Sequence, residues 1–228
     1  MKIAVIQHQL RGHERTDLAA LLSVSEQASD EGASVIVCPR LPGLGPDTRI
    51  YQAFIENMRK HAPGSLVVMP AVAGGRGEEL QPFLTPLGRT VALTGDECIE
   101  PSMLDDVATL GVEAMVWQPC AASALQAEAF LEFALDASLS LSGLVIVTAL
   151  TGSARGVARF GRSAVVELGD ILAEAGEGEA VVSAQIEAPV SLPDRPRPHP
   201  VLPPILAQRL AHHLGEPPPA VGYPADLS

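Results

Sequence analysis

The sequence predicts an α/β protein in which strands and helices alternate along the chain. Three observations point there. Short apolar runs rich in Val, Ile and Ala recur between Gly, Pro and polar residues, as in KIAVIQ (2–7) and SVIVC (34–38). Between them lie segments of roughly 10–17 residues with apolar side chains at helical spacing, which implies βαβ crossovers and sheets buried on at least one face. Apolar residues make up 47% of the 228 positions and aromatics only 4%, so a sizeable core is available and is built from aliphatic side chains rather than rings.

The elements follow in order. KIAVIQ (2–7) reads as a short buried strand. A helix runs from about Thr16, with Leu18, Leu21, Leu22 and Ala28 on one face and Gly32 as its stop signal. SVIVC (34–38) is a second buried strand, ended by Pro39. Tyr51 to His61 form a helix, SLVVMPAV (65–72) a third strand and, after a turn rich in glycine (Gly74, Gly75, Gly77), RTVALT (89–94) a fourth. Pro101 opens a helix to about Leu110, and VEAMVW (112–117) is the fifth strand. The helix over 124–140 sets Phe130, Phe133, Ala134 and Ala137 on one face, and GLVIVTAL (143–150) is a sixth strand. From Gly161 the rhythm changes: SAVVEL (163–168), ILAEA (171–175) and AVVSAQIE (180–187), separated by GD and GEGE turns, read as antiparallel hairpins. Residues 188–228 hold eleven of the twenty prolines and form an arm, in which only 201–215 suits a helix. The domain boundary therefore falls between 187 and 188.

Charge and composition exclude several functions. The net charge of −12, from 15 Lys+Arg against 27 Asp+Glu, opposes binding to nucleic acid or an anionic membrane. Lys2 and Lys60 are the only lysines. No apolar run is long enough for a membrane span or a secretory leader. The three cysteines, Cys38, Cys98 and Cys120, are too few and scattered for a disulfide scaffold or zinc finger, which fits a reduced cytoplasmic setting. No metal-ligand spacing occurs, since His212 and His213 are adjacent and face different ways, and no cofactor motif is present.

Three segments resemble the nitrilase, or carbon–nitrogen hydrolase, superfamily. MKIAVIQ (1–7) is similar to the family's first strand and GASVIVCPR (32–40) to its second, while FGRSAVVELGDILAEAGEGEAVVSAQIE (160–187) is similar to its closing hairpins nearly throughout. PSMLDDVATLGVEAMVWQP (101–119) resembles the helix and strand that follow the family's nucleophile. The resemblance spans roughly residues 1–187 and implies a four-layer αββα sandwich of two mixed β-sheets, assembling as a dimer or larger homo-oligomer. It also implies hydrolysis of a nitrile or amide by a cysteine thiolate, with a glutamate as general base and a lysine stabilising the oxyanion.

The three catalytic positions depart from that pattern together. The family glutamate follows the proline that ends the second strand, and Arg40 stands there, a group that cannot take up a proton. The lysine belongs to a long segment between the third and fourth strands; here 74–88 is short and has no lysine, and neither Arg76 nor Arg89 sits in a context that would aim it. The nucleophile stands six residues before the helix-opening proline, and counting back from Pro101 gives Gly95, followed by Asp96 and Glu97. Cys98 as a relocated nucleophile lies about one helical turn, roughly 5 Å, from the required point. The resemblance brings Gln7, His8, Cys38, Arg40, Asp96, Glu97, Cys98, Gln118 and Cys120 to the pocket end of the strands. Arg40 is expected to pair with Asp96 or Glu97, or to retain a small amide or carboxylate ligand. His8 reads as a hydrogen-bonded structural residue. Three readings follow: a non-catalytic homologue that binds a small ligand or acts as a scaffold, an amidase using Cys98 or Cys120 as a displaced thiol, and a structural subunit that pairs with an active paralogue.

Overall fold

The computed structural model describes residues 1–43, 49–70, 82–95, 101–154 and 156–187. The C-terminal arm, 188–228, lies outside them. Twelve strands and four helices alternate over the described residues: β1 (Lys2–Leu10), α1 (Glu14–Asp30), β2 (Val35–Val37), α2 (Arg49–His61), β3 (Leu66–Val68), β4 (Phe83–Thr85), β5 (Gly88–Thr94), α3 (Pro101–Thr109), β6 (Ala114–Gln118), α4 (Ala124–Leu141), β7 (Leu144–Val147), β8 (Leu150–Ala154), β9 (Val157–Arg159), β10 (Ala164–Glu167), β11 (Asp170–Glu174) and β12 (Ala180–Gln185). They form two mixed six-stranded sheets. The first runs β3-β2-β1-β8-β9 with β12 also on β1, and the second runs β11-β10-β7-β6-β5-β4.

Strand alternation builds the four layers. On β1, Ile3 and Val5 face the second sheet and meet Val116, Ile146 and Val165, whereas Ala4 and Ile6 face Leu21, Phe54 and Met58 of α1 and α2. The second sheet's outer face packs Trp117 between Phe130 and Phe133 of α4, both edge-to-face at 5.3 Å. The result is the αββα sandwich. Helix α4 begins with a capping arrangement: Ser123 Oγ accepts the Gln126 N–H at 3.1 Å, and Gln126 Oε1 accepts the Ala122 N–H at 2.8 Å. It ends where Gly143 alone fits, because a Cβ there would lie 2.5 Å from the Glu113 carbonyl oxygen.

The structure corrects the expected strands at four points. The run 143–150 is two strands, not one: β7 belongs to the second sheet and β8 to the first. At the crossing side chains supplement the backbone bonds, with Thr148 Oγ1 donating to the Ile6 carbonyl at 2.9 Å and Ser163 Oγ accepting the Ala149 N–H at 2.9 Å. Strands β4 and β9, three residues each, carry too little periodicity to be read. Finally, β10 and β11 form the expected hairpin, but β12 pairs antiparallel with β1 across the sandwich rather than with β11. Strand β1 therefore changes partner along its length: Gln7 is opposite Ala180 of β12, and His8 opposite Leu150 of β8.

Candidate functional site

The ends of β2, β5 and β6 meet through one buried amide. Gln118, the last residue of β6, is 4% exposed. Its Oε1 accepts the Arg40 backbone N–H at 2.6 Å and its Nε2 donates to the Arg40 carbonyl at 2.9 Å. The side chain thus pairs with the peptide of Arg40 as a neighbouring strand would, and ties the two sheets together where Pro39 has ended β2. The Gln118 carbonyl in turn accepts the Gly95 N–H at 2.9 Å, and the Gly95 carbonyl accepts from Trp117 Nε1 at 2.8 Å. Arg40, Gly95 and Gln118 are accordingly brought together.

Gly95 has φ +98°, a conformation that disfavours any L side chain, and among the described residues nothing lies within 4 Å of where a Cβ would stand. The position expected for a nucleophile is thus a bare backbone corner held at both its N–H and its carbonyl. Cys38 is fully buried, with its Sγ 3.3 Å from Ser25 Oγ, and burial pushes its thiol up to about 12, the Ser25 contact only partly opposing. It is a small core residue, not a nucleophile. Tyr51, in the first turn of α2, is a neighbour that sequence reasoning missed. Burial raises its phenol, the Arg40 charge opposes that, and Cys38 adds to it. A tyrosine at the start of an amphipathic helix carries no local signal of such proximity.

Cys120 is half-buried two residues beyond Gln118, in a segment anchored by the Phe160 N–H donating to the Ala121 carbonyl at 3.1 Å. Asp96, Glu97 and Cys98 lie outside the described residues, and with them the expected pairing of Arg40 to an acid; Arg76 does too. Arg89 is exposed at the opposite end of β5 from Gly95. Lys60 is exposed on α2.

Gln7 and His8 stand apart from this cluster in their bonding. Gln7 is fully buried; its Nε2 donates to the Gly176 and Gly178 carbonyls, both at 2.7 Å, and its Oε1 accepts the Ser163 N–H at 2.7 Å. Both N–H donors of Gln7 are thereby spent on main chain. His8 is likewise buried and lies between Asp17 and Glu179. A surface hollow of about 460 Å³ lined by Gly12, His13, Glu14, Arg15 and Ile50 opens at the start of α1 and includes none of the residues named from the sequence. Among the described residues no group of His, Cys, Asp and Glu is arranged to hold a metal ion, and no helix is long and apolar enough to cross a membrane.

No protein-family model and no curated protein sequence matches the chain. Solved structures do. An amidase from Nesterenkonia sp. superposes with a TM-score of 0.68 at 15% identity, over 82% of this chain and 90% of that one. A variant of the amidase from Nesterenkonia sp. AN1, with the acetamide moiety of fluoroacetamide added covalently at its active-site cysteine, gives 0.69 at 16% identity over 86% and 94%. Another variant of the AN1 enzyme, from the nitrilase superfamily, gives 0.66 at 18% identity over 82% and 90%. These chains share one architecture, and the fold of this protein is that of the nitrilase superfamily.

Proposed function

We propose that this chain is a nitrilase-fold protein that has lost the Glu–Lys–Cys machinery and serves as a non-catalytic homologue, binding a small amide or carboxylate or acting as a scaffold, and assembling as a homo-oligomer. One observation carries the reading: Gly95, at the nucleophile's expected position, has no side chain and a backbone conformation unsuited to one, and it shares Gln118 with Arg40, which stands where a general base is required. A guanidinium cannot accept the proton that a thiol must lose. Removing a nucleophile alone costs a hydrolase of comparable logic about a millionfold in turnover.

The test is a hydrolysis assay over short aliphatic amides and nitriles, run beside labelling with fluoroacetamide. The expected result is no turnover above the uncatalysed rate and no rapid adduct. Turnover that disappears in Cys98→Ala or Cys120→Ala overturns the proposal and establishes a displaced thiol.

A further inference from the structure

Where β1 exchanges β12 for β8, charged side chains close around a buried imidazole. His8 Nε2 lies 3.1 Å from Asp17 Oδ1, and His8 Nδ1 lies 2.9 Å from Glu179 Oε1. Asp17 Oδ1 also accepts the Arg11 backbone N–H at 2.9 Å, and Arg11 Nη2 donates to Glu179 Oε2 at 2.7 Å. The four residues come from β1, the β1–α1 connection, α1 and the β11–β12 turn. Among the described residues, Asp17 and Glu179 are the ionisable groups paired with the ring, and Arg11 is bonded to both.

A neutral imidazole carries one N–H, an imidazolium two. With its single proton on Nε2, the neutral ring keeps Asp17 and turns the Nδ1 lone pair toward a carboxylate oxygen 2.9 Å away. Only the imidazolium donates to both acids. The Glu179 side is also the weaker one: its oxygen lies off the N–H direction, so that Nδ1 has no aligned hydrogen bond. The Glu179 side chain is 31% exposed against 5% for Asp17, so it is the carboxylate with somewhere to go.

We propose that His8 is a proton-operated latch on the β11–β12 turn. Protonated, the ring holds Glu179 and the turn against β1; deprotonated, it keeps Asp17 and releases Glu179 toward Arg11 and solvent. The latch needs no assumption about Arg40 or Gly95. The imidazolium meets two carboxylates where the neutral ring can donate to only one, so the contact with Glu179 belongs to the protonated ring. The two Gln7 bonds to the same turn do not titrate. The turn therefore loosens without detaching, and the fraying is confined to the first residues of β12.

The experiment is backbone hydrogen exchange on the full chain at about pH 5.5 and about pH 8, corrected for intrinsic exchange. Residues 176–182 are expected to lose protection about threefold relative to β6 and β7 at the higher pH, the scale of one partly exposed ion pair. Glu179→Gln, a partly exposed change whose amide can donate to a neutral ring, should remove the difference. Equal protection at both pH values in the unaltered protein overturns the latch, as does an undiminished pH effect in Glu179→Gln. Side-chain nitrogen spectra showing His8 in one charge state across the range would do so too.

Discussion

Two glutamines cross the sandwich in opposite directions. Gln7 reaches from β1 of the first sheet to the β10 and β11 side of the second, and Gln118 reaches from β6 of the second sheet to the end of β2 in the first. Both stand at the C-terminal side of parallel strands, both are buried, and both spend their amides on main chain. They differ in what lies beyond the bond. Gln7 closes on the Gly176 and Gly178 carbonyls and the Ser163 N–H, so it is a cross-link within the core. Gln118 closes on Arg40, whose charge acts on the half-buried phenol of Tyr51. The same device thus cross-links the core at Gln7 and, at Gln118, holds the Arg40 and Gly95 backbones together.

The comparison breaks if the two amides cost the same to remove. Gln7→Ala leaves a buried N–H and two carbonyls unpaired over a small cavity, and should lower unfolding free energy by about 3–5 kcal/mol in chemical denaturation. Alkaline unfolding probes the floor beneath the Gln118 clasp. The thiol of Cys38 ionises near 9.0 when free and near 12 in the fold, so stability is whole below pH 9 and falls as pH rises above it, by about 2–3 kcal/mol at pH 11. Denaturation midpoints of Cys38→Ala across that range should show a shallower slope, the remainder including Tyr51. Gln118→Ala should cost less than Gln7→Ala, about 1–3 kcal/mol, because Arg40 is partly exposed and water can replace the lost bonds. A thiol-reactive reagent supplies the smallest effect: under native conditions Cys120 should alkylate while Cys38 stays intact until the chain unfolds.

Most of the fold was legible because its strands are short apolar runs and its helices have one-sided apolar faces. Leu21 and Ala28 of α1, and Phe130, Ala134 and Ala137 of α4, are buried as their spacing required. What escaped were decisions made by tertiary pairing. Nothing in GLVIVTAL tells that the chain changes sheets at Thr148, since the run is apolar on both sides of the crossing and the hydroxyl that marks it bonds to Ile6, 142 residues away. The partner of β12 is equally silent, because a GEGE turn permits a hairpin with β11 as readily as a crossing to β1. At the site, the sequence placed Arg40, Gly95 and Gln118 together through a resemblance; it did not reveal that Gln118 is the joint. It grouped Gln7 and His8 with them because strand ends converge, yet their side chains turn to the β10–β12 turns and to α1. A polar residue at a strand end reads the same from sequence whether it faces a ligand or a loop.

The exchange of partners along β1 has a consequence for how the chain is made. Every strand that completes β1 is synthesised after it, and the last, β12, pairs Lys2 with Gln185. Until that final strand emerges from the ribosome, the N-terminal half of β1 keeps a bare apolar edge, the kind of surface that other nascent chains can extend. Closing it demands a contact across nearly the whole described sequence, which slows folding and ties the fate of the first strand to the arrival of the last.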